Sequence, residues 1–302
     1  MEMAQVRRVE WQAYWREAVR FLHEAWNAYQ RDRAPLAAAG AAYYLQLSTI
    51  PLFLLLVSVA TFIITPEQVK AMLTGLTGVL GPGVGRALRF EISSVFAHRG
   101  LITTISFFFG LWTGAQVFVI LELALNQIWH VREERSFWVR SGRAVLMVLL
   151  TGVVAMLTII LGTVLRAIEQ LHILMINGEA MALPWPVITI IDYLLPLALI
   201  TAFFAIAYRY LPACIIPWTL VMPGAVIGGV LWVIALHFFS WYTATFVNYS
   251  IIYGSLGGLI LLMLWFNYSA QIMLFGAEVS ALLHKRHVEA GIAEQWNDEK
   301  AE

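Results

Sequence analysis

The chain has 302 residues, of which 60% are hydrophobic and only 13% charged, roughly half the charged share of about 25% in soluble proteins. Its 19 basic and 19 acidic side chains cancel, which leaves no overall positive field to gather nucleic acid. The single cysteine, Cys214, cannot close an intrachain disulfide.

Residues 1–35 are expected to form a cytoplasmic amphipathic segment. Trp11, Trp15, Val19, Leu22 and Trp26 recur at helical spacing, while Arg7, Arg8, Glu10, Arg16, Glu17, Arg20 and Glu24 mark the wetter side. Tryptophan favours the headgroup region, so the expected element is an interfacial helix. A soluble helix packed on the loops is the alternative. No cleavable signal peptide is expected here, because the stretch lacks an apolar core.

Residues 36–284 are expected to form an all-α transmembrane domain, a bundle of six helices. A span needs about 20 predominantly apolar residues. Such runs fall at about 36–64, 101–128, 143–168, 186–210, 219–247 and 251–283, with Pro51 in the first and Pro196 in the fourth. From Tyr210 to Ala277 there are 68 residues without one Asp, Glu, Lys or Arg, which only a hydrocarbon environment requires. The segment Thr65–Gly100, with Gly81-Pro82-Gly83 at its middle, is too polar for a span. It is expected to form one or two short helices over the bundle mouth, with a re-entrant pair as the alternative. Residues 285–302 are expected to be a cytoplasmic tail, frayed where Glu289–Glu302 carries Glu294, Asp298 and Glu299.

Lysine and arginine set orientation. With six spans, one side holds 14 of them, from Arg7 and Arg8 through Arg31, Arg33, Arg132 and Arg209 to Lys285, Arg286 and Lys300. The other side holds five: Lys70, Arg86, Arg89, Arg99 and Arg166. Both termini are therefore expected in the cytoplasm.

Several local patterns resemble one family. The first span reads Ala38-Ala39-Gly40-Ala41-Ala42-Tyr43-Tyr44 and then Ser48-Thr49-Ile50-Pro51. The second ends in Leu125-Asn126-Gln127-Ile128-Trp129 before basic residues. The fifth opens with Pro223-Gly224-Ala225, and the sixth carries Tyr253-Gly254-Ser255-Leu256-Gly257-Gly258, Leu264-Trp265 and Gly276-Ala277-Glu278. Together, from about residue 20 to 285, these resemble the YihY/BrkB family of bacterial inner-membrane proteins. The resemblance implies a six-helix inner-membrane protein and suggests transport of lipids or other amphiphiles.

A ribonuclease label has also been attached to that family. Metal-dependent nucleases need clustered His and carboxylate ligands, whereas His23, His98, His130, His172, His237, His284 and His287 are scattered. No phosphate-cradling Gly-Lys-Ser/Thr loop is present either. The chain is therefore expected not to be an enzyme, to use no metal or cofactor, and to bind no nucleic acid.

Polar side chains inside spans are costly and usually face a partner or a cavity. Glu278, Gln271 and Asn267 share one stripe of the sixth span, and Glu122 and Asn126 share a face of the second. With Tyr43, Tyr44 and Gln46 of the first span they are the expected lining of a substrate cavity. The same groups would serve as interhelical hydrogen-bond glue. Asp192 and Arg166 are expected to meet as an ion pair or gate on the outer side. His237 is a candidate proton relay, or a packing residue. Arg132, Arg135, Arg140 and Arg143, beside Trp129 and Trp138, are expected to meet anionic lipid headgroups or simply to enforce topology. The pairs Gly110/Gly114, Gly224/Gly228 and Gly254/Gly258 are expected to pack helices, with homo-oligomerisation as the lesser use.

The expected function is a transporter or flippase-like carrier of an amphiphilic solute, not driven by nucleotide. A non-transporting scaffold in envelope biogenesis is the alternative, and a lipid-acting membrane enzyme comes third.

Overall fold

A computed structural model of the chain describes residues 2–63, 99–131, 135–175, 185–246 and 256–299. Among these residues there is no strand, and seven helices follow one another. They are α1 (Glu2–Arg31), α2 (Ala34–Ile63), α3 (Arg99–Ile128), α4 (Phe137–Met175), α5 (Trp185–Tyr210), α6 (Trp218–Phe246) and α7 (Leu256–Glu299). Five are long and apolar enough to cross a membrane, over Ala34–Leu55, Gly100–Ile128, Phe137–Thr163, Trp218–Thr243 and Gly257–Arg286. A shorter apolar stretch, Leu194–Tyr210, belongs to α5. The expected short helices of the 65–100 segment fall almost wholly outside the described residues.

Two helices are longer than the sequence pattern suggests. The third apolar run, expected at 143–168, is the middle of α4, which extends past it at both ends. Helix α7 continues through the expected frayed tail as far as Glu299. Ala290, Ala293, Glu294 and Gln295 are good helix formers, and charge alone does not end a helix that a longer one already nucleates.

Helices α2 to α7 close into a ring in chain order: each packs on the next, and α7 returns to α2. Helix α7 also touches α3, and α1 lies against α7 and α2. The buried residues crowd towards one end of this ring. Ala34, Ala38, Ala41 and Ala42 of α2 face Leu121, Leu125 and Ile128 of α3 in a core that includes Tyr208, Leu211, Leu274 and Ala277. Towards the other end, Ile160, Leu194, Ile234, Phe238 and Leu259 stand exposed. Within a bilayer, apolar burial gives no hydrophobic drive between helices, so close van der Waals packing of small residues must hold them.

That packing is tightest between α6 and α7. A Cβ placed on Gly224 would fall 2.0 Å from the Gly276 carbonyl oxygen and 2.3 Å from Ser280 Oγ. Pro223 stands within the first turns of α6. The Gly224 N–H donates to Ser280 Oγ at 3.0 Å, and the Ser280 hydroxyl donates to the Val221 carbonyl at 3.2 Å. Tyr208 of α5 completes the knot by donating its hydroxyl to the Met273 carbonyl at 2.5 Å. The other glycine pairs behave differently. Gly110 and Gly114 meet Pro51 and Val148 at ordinary to tight distances, while Gly258 faces open space.

Among the described residues, two that are not glycine turn the chain with positive φ. Arg33 (φ 54°) reverses α1 into α2, and His130 (φ 50°) ends α3. At His130 the end is closed by Val131 N–H to the Asn126 carbonyl at 2.8 Å and His130 N–H to the Gln127 carbonyl at 3.1 Å. This is the usual helix stop, with histidine where glycine is preferred.

Candidate functional site

Three polar groups occupy the packed end of the ring. The first surrounds Glu122 of α3, which is fully buried. Arg135 approaches its Oε1 at 3.7 Å and Arg140 at 3.9 Å. These are ion-pair distances without hydrogen bonds, and neither Glu122 oxygen has a hydrogen-bond partner among the described residues. Arg135 is held as well by the end of α5, donating to the Leu211 carbonyl at 3.1 Å and to the Pro212 carbonyl. Arg143 donates to the Tyr210 carbonyl at 2.9 Å. Cations here meet the carbonyls a helix C-terminus leaves unpaired. Burial, and then the neighbouring Arg143, pull Arg135 below its ordinary pKa, opposed by Glu122. Asn126 adds a link of its own, its Oδ1 accepting the Ala213 N–H at 2.7 Å. Glu122 and Asn126 thus tie the loop after α3 to the loop after α5. Arg135 and Arg143 point into this latch, and Arg132 lies outside the described residues.

The second group sits where α1 turns into α2 against α7. Glu278 is 2% exposed and Asp32 is 8% exposed. The two carboxyls lie in hydrogen-bonding reach of one another. Arg31 stands 3.7 Å from Asp32, with its own side chain turned out to solvent. Tyr29, also buried, lies beside Glu278, and burial followed by that carboxylate pushes its phenol up to about 12. Neither the Tyr29 hydroxyl nor Glu278 Oε1 has a hydrogen-bond partner among the described residues. Nearby, Arg286 clasps Glu24 at 2.6 Å and covers the Phe21 ring, pinning α1 to α7.

The third group is the remainder of the α7 stripe. Gln271 donates to Asn267 one turn earlier. Gln271 also lines a small cavity of about 140 Å³ with Trp26, Tyr29, Leu231 and Phe275. Tyr268 and Ile272 are shared between it and a larger cavity of about 490 Å³ walled by Phe238, Phe239, Leu264 and Trp265. The two form one groove on the α6–α7 face. The larger cavity is lined by aromatic and aliphatic side chains that include Tyr242 and Tyr268; the smaller adds the Gln271 amide and Tyr29.

The stripe is therefore divided: Gln271 joins the groove and Asn267 accepts its hydrogen bond, whereas Glu278 turns to Asp32 and Tyr29. The sequence offered no reason to connect Asp32 with Glu278. Flanked by Arg31 and Arg33, Asp32 reads as part of a solvated turn, yet it is the carboxylate that is buried and the arginines that face out. Among the expected lining residues of α2, Tyr43 is exposed and Tyr44 half-buried against the core, their rings edge to face at 5.2 Å. Gln46 buries its Oε1 without a hydrogen-bond partner among the described residues. His237 is exposed, its Nδ1 2.8 Å from the Val233 carbonyl. The side chains of Asp192 and Arg166 lie outside the described ones. Among the described residues no three His, Cys, Asp or Glu side chains gather as a metal site.

Comparison with known proteins agrees with a membrane chain. The family model described as virulence factor BrkB matches residues 25–301. The chain is 28% identical over 274 residues to YfkH of Bacillus subtilis (strain 168), named as a ribonuclease-like protein, covering 88% of this chain and 96% of YfkH. A UPF0761 membrane protein of Tolumonas auensis is 25% identical over 268 residues, 87% of this chain and 85% of that one. Another, VV0203 of Vibrio vulnificus (strain YJ016), is 28% identical over 273 residues, 89% and 82% of the two chains. No solved structure matches.

Proposed function

Because the chain belongs to the virulence factor BrkB family of integral membrane proteins, we propose that it is a carrier of an amphiphilic lipid or lipid-like solute in the bacterial inner membrane. The observation that supports this most is the α6–α7 groove. Its larger, chiefly apolar part suits an acyl chain, and the Gln271 amide of its smaller part suits a polar head. Aromatic rings with polar tips favour a molecule having both parts.

In this reading α2 to α7 are six spans, with α5 the fourth, and both termini face the cytoplasm. Arg31, Arg33, Arg135, Arg140, Arg143, Arg209, Lys285 and Arg286 then share the cytoplasmic side. Helix α1 lies in the interface, an assignment supported by Val19, Leu22 and Trp26, which are exposed on one of its faces. The Arg135–Arg140–Arg143 cluster contributes to contact with anionic headgroups, although Arg135 and Arg143 also serve the latch. No chemistry on the solute is proposed, and no metal, cofactor or nucleotide is required.

The test uses vesicles reconstituted with the purified protein and a short-chain fluorescent phosphatidylglycerol, read by quencher added outside. The wild type is expected to move probe between leaflets faster than protein-free vesicles. Ala235 of α6 lines the larger cavity, and Ala235→Trp, which fills it, is expected to return the rate towards background. Equal rates with and without protein, or an unaffected Ala235→Trp variant, would overturn the assignment.

A further inference from the structure

Asp32 and Glu278 meet where little charge is at hand to offset them. A carboxylate has only acceptor oxygens, whereas a protonated carboxyl is also a donor. Two carboxyl groups in reach of each other, both nearly withdrawn from solvent, cannot both stay ionised without a compensating positive charge. The surroundings supply little. Arg31 is the cation that faces the pair, and its side chain is 70% exposed at 3.7 Å from Asp32. Helices α2 and α6, both packed on α7, contain no Asp, Glu, Lys or Arg at all, and His237 of α6 is exposed. The carboxylate of α3, Glu122, is engaged by Arg135 and Arg140. On α1, Glu24 and Arg286 satisfy each other.

A second observation marks the same spot. The Tyr29 hydroxyl is buried beside Glu278 without a hydrogen-bond partner among the described residues, as is Glu278 Oε1. A neutral phenol and an orphan carboxyl oxygen, both buried beside a second carboxyl, form a built pocket for one positive charge.

We infer that Asp32 and Glu278 share a bound proton at the α1–α2 turn, with Tyr29 as the third member of the site. The proton bridges one oxygen of each carboxyl, so that the pair carries a single negative charge opposite Arg31. This goes beyond the carrier reading, since the proton is a property of the resting fold. It deepens that reading in one respect: a proton held between the interfacial helix and α7 is placed to couple a gradient to movement of α1 over the groove that Trp26 and Tyr29 line.

Infrared difference spectroscopy of the full chain in lipid nanodiscs tests the site without any transport step. Stepping the buffer towards alkaline pH should remove one protonated-carboxyl carbonyl band. That band should shift on carbon-13 labelling of glutamate, and it should be absent from Glu278→Gln and Asp32→Asn but present in Glu122→Gln. Tyr29→Phe keeps both carboxyls and should displace the band rather than abolish it. The labelled wild type and Tyr29→Phe keep the test decisive where either carboxyl variant does not fold. Absence of any such band in the wild type, or its persistence in both carboxyl variants, would overturn the inference. Loss of the band on replacing choline by sodium at constant pH would also overturn it, by assigning the site to an alkali cation. A silent transport assay with the band intact would sink the carrier and leave the proton site standing.

Discussion

Substituting Gly224 by alanine should loosen the packed end of the ring more than a methyl added at Gly110, Gly114 or Gly258. Its new Cβ would lie 2.0 Å from the Gly276 carbonyl oxygen, whereas carbon and oxygen approach to about 3.3 Å in the closest helix contacts. The atom in the way is backbone, so α6 and α7 must part by roughly 1 Å. Overpacking of this kind costs about 1–3 kcal/mol, and the upper end applies because no rotamer change relieves it. Parting the helices also breaks the Gly224 N–H to Ser280 bond of 3.0 Å, worth about 1 kcal/mol. Alanine returns about 1 kcal/mol through its better helix propensity, which leaves a net loss of roughly 3 kcal/mol. Gly258→Ala is the matched control: its Cβ meets nothing within 4 Å, so it should be neutral or stabilising by up to about 1 kcal/mol. Thermal denaturation in one detergent, followed by the monodisperse fraction on size exclusion, orders the two against the wild type. If both alanine variants melt together, the close α6–α7 contact is not what holds this end, and the reasoning fails.

Glu122→Ala should destabilise by about 3 kcal/mol, the lower end for breaking a buried ion pair, because the Arg135 and Arg140 contacts are long; the same melting assay checks it, and a loss below about 1 kcal/mol would mean that the Leu211 and Pro212 carbonyls suffice for Arg135. His130→Gly should stabilise by about 1 kcal/mol, since a histidine holds the left-handed helix stop at φ 50°; no gain in melting temperature would contradict that stop. Alkaline stability should depend on Tyr29, whose folded pKa of about 12 exceeds its ordinary 10. The folded state then holds its proton longer than the unfolded one, so stability present below pH 10 is lost as pH rises towards 12. Tyr29→Phe should flatten that part of the melting profile, and an unchanged profile would argue against its burial beside Glu278.

The helices were legible because each apolar run is long, and because charged residues follow α1 and α3 and Pro212 and Pro217 follow α5. The ends of α2, α3, α5 and α6 fall within about two residues of the sequence pattern, since a hydrocarbon core imposes length directly. The extensions of α4 and α7 were missed because hydropathy reports where a helix is apolar, not where it stops. At the candidate sites the period of the helix placed Asn267, Gln271 and Glu278 on one stripe, but it could not tell which partners each would meet. Glu278 finds Asp32 only because the turn at Arg33 folds α1 back over α7, a long-range event with no local signature. Arg135 and Arg143 read as cations for lipid headgroups or topology for the same reason: nothing nearby in sequence announces the end of α5, about 70 residues on, whose carbonyls they cap.

The central claim is that the α6–α7 groove holds a particular amphiphile, and native mass spectrometry with lipid analysis tests it most directly. Wild-type protein, Ala235→Trp and the Gln271→Leu, Asn267→Ala double variant would be purified identically and their retained lipids compared. One lipid class is expected to be enriched on the wild type above its share of the membrane, lost from Ala235→Trp and reduced in the double variant. Bulk membrane lipid retained in equal amounts by all three would contradict the claim, reduce the groove to an ordinary lipid-facing surface and favour a scaffold.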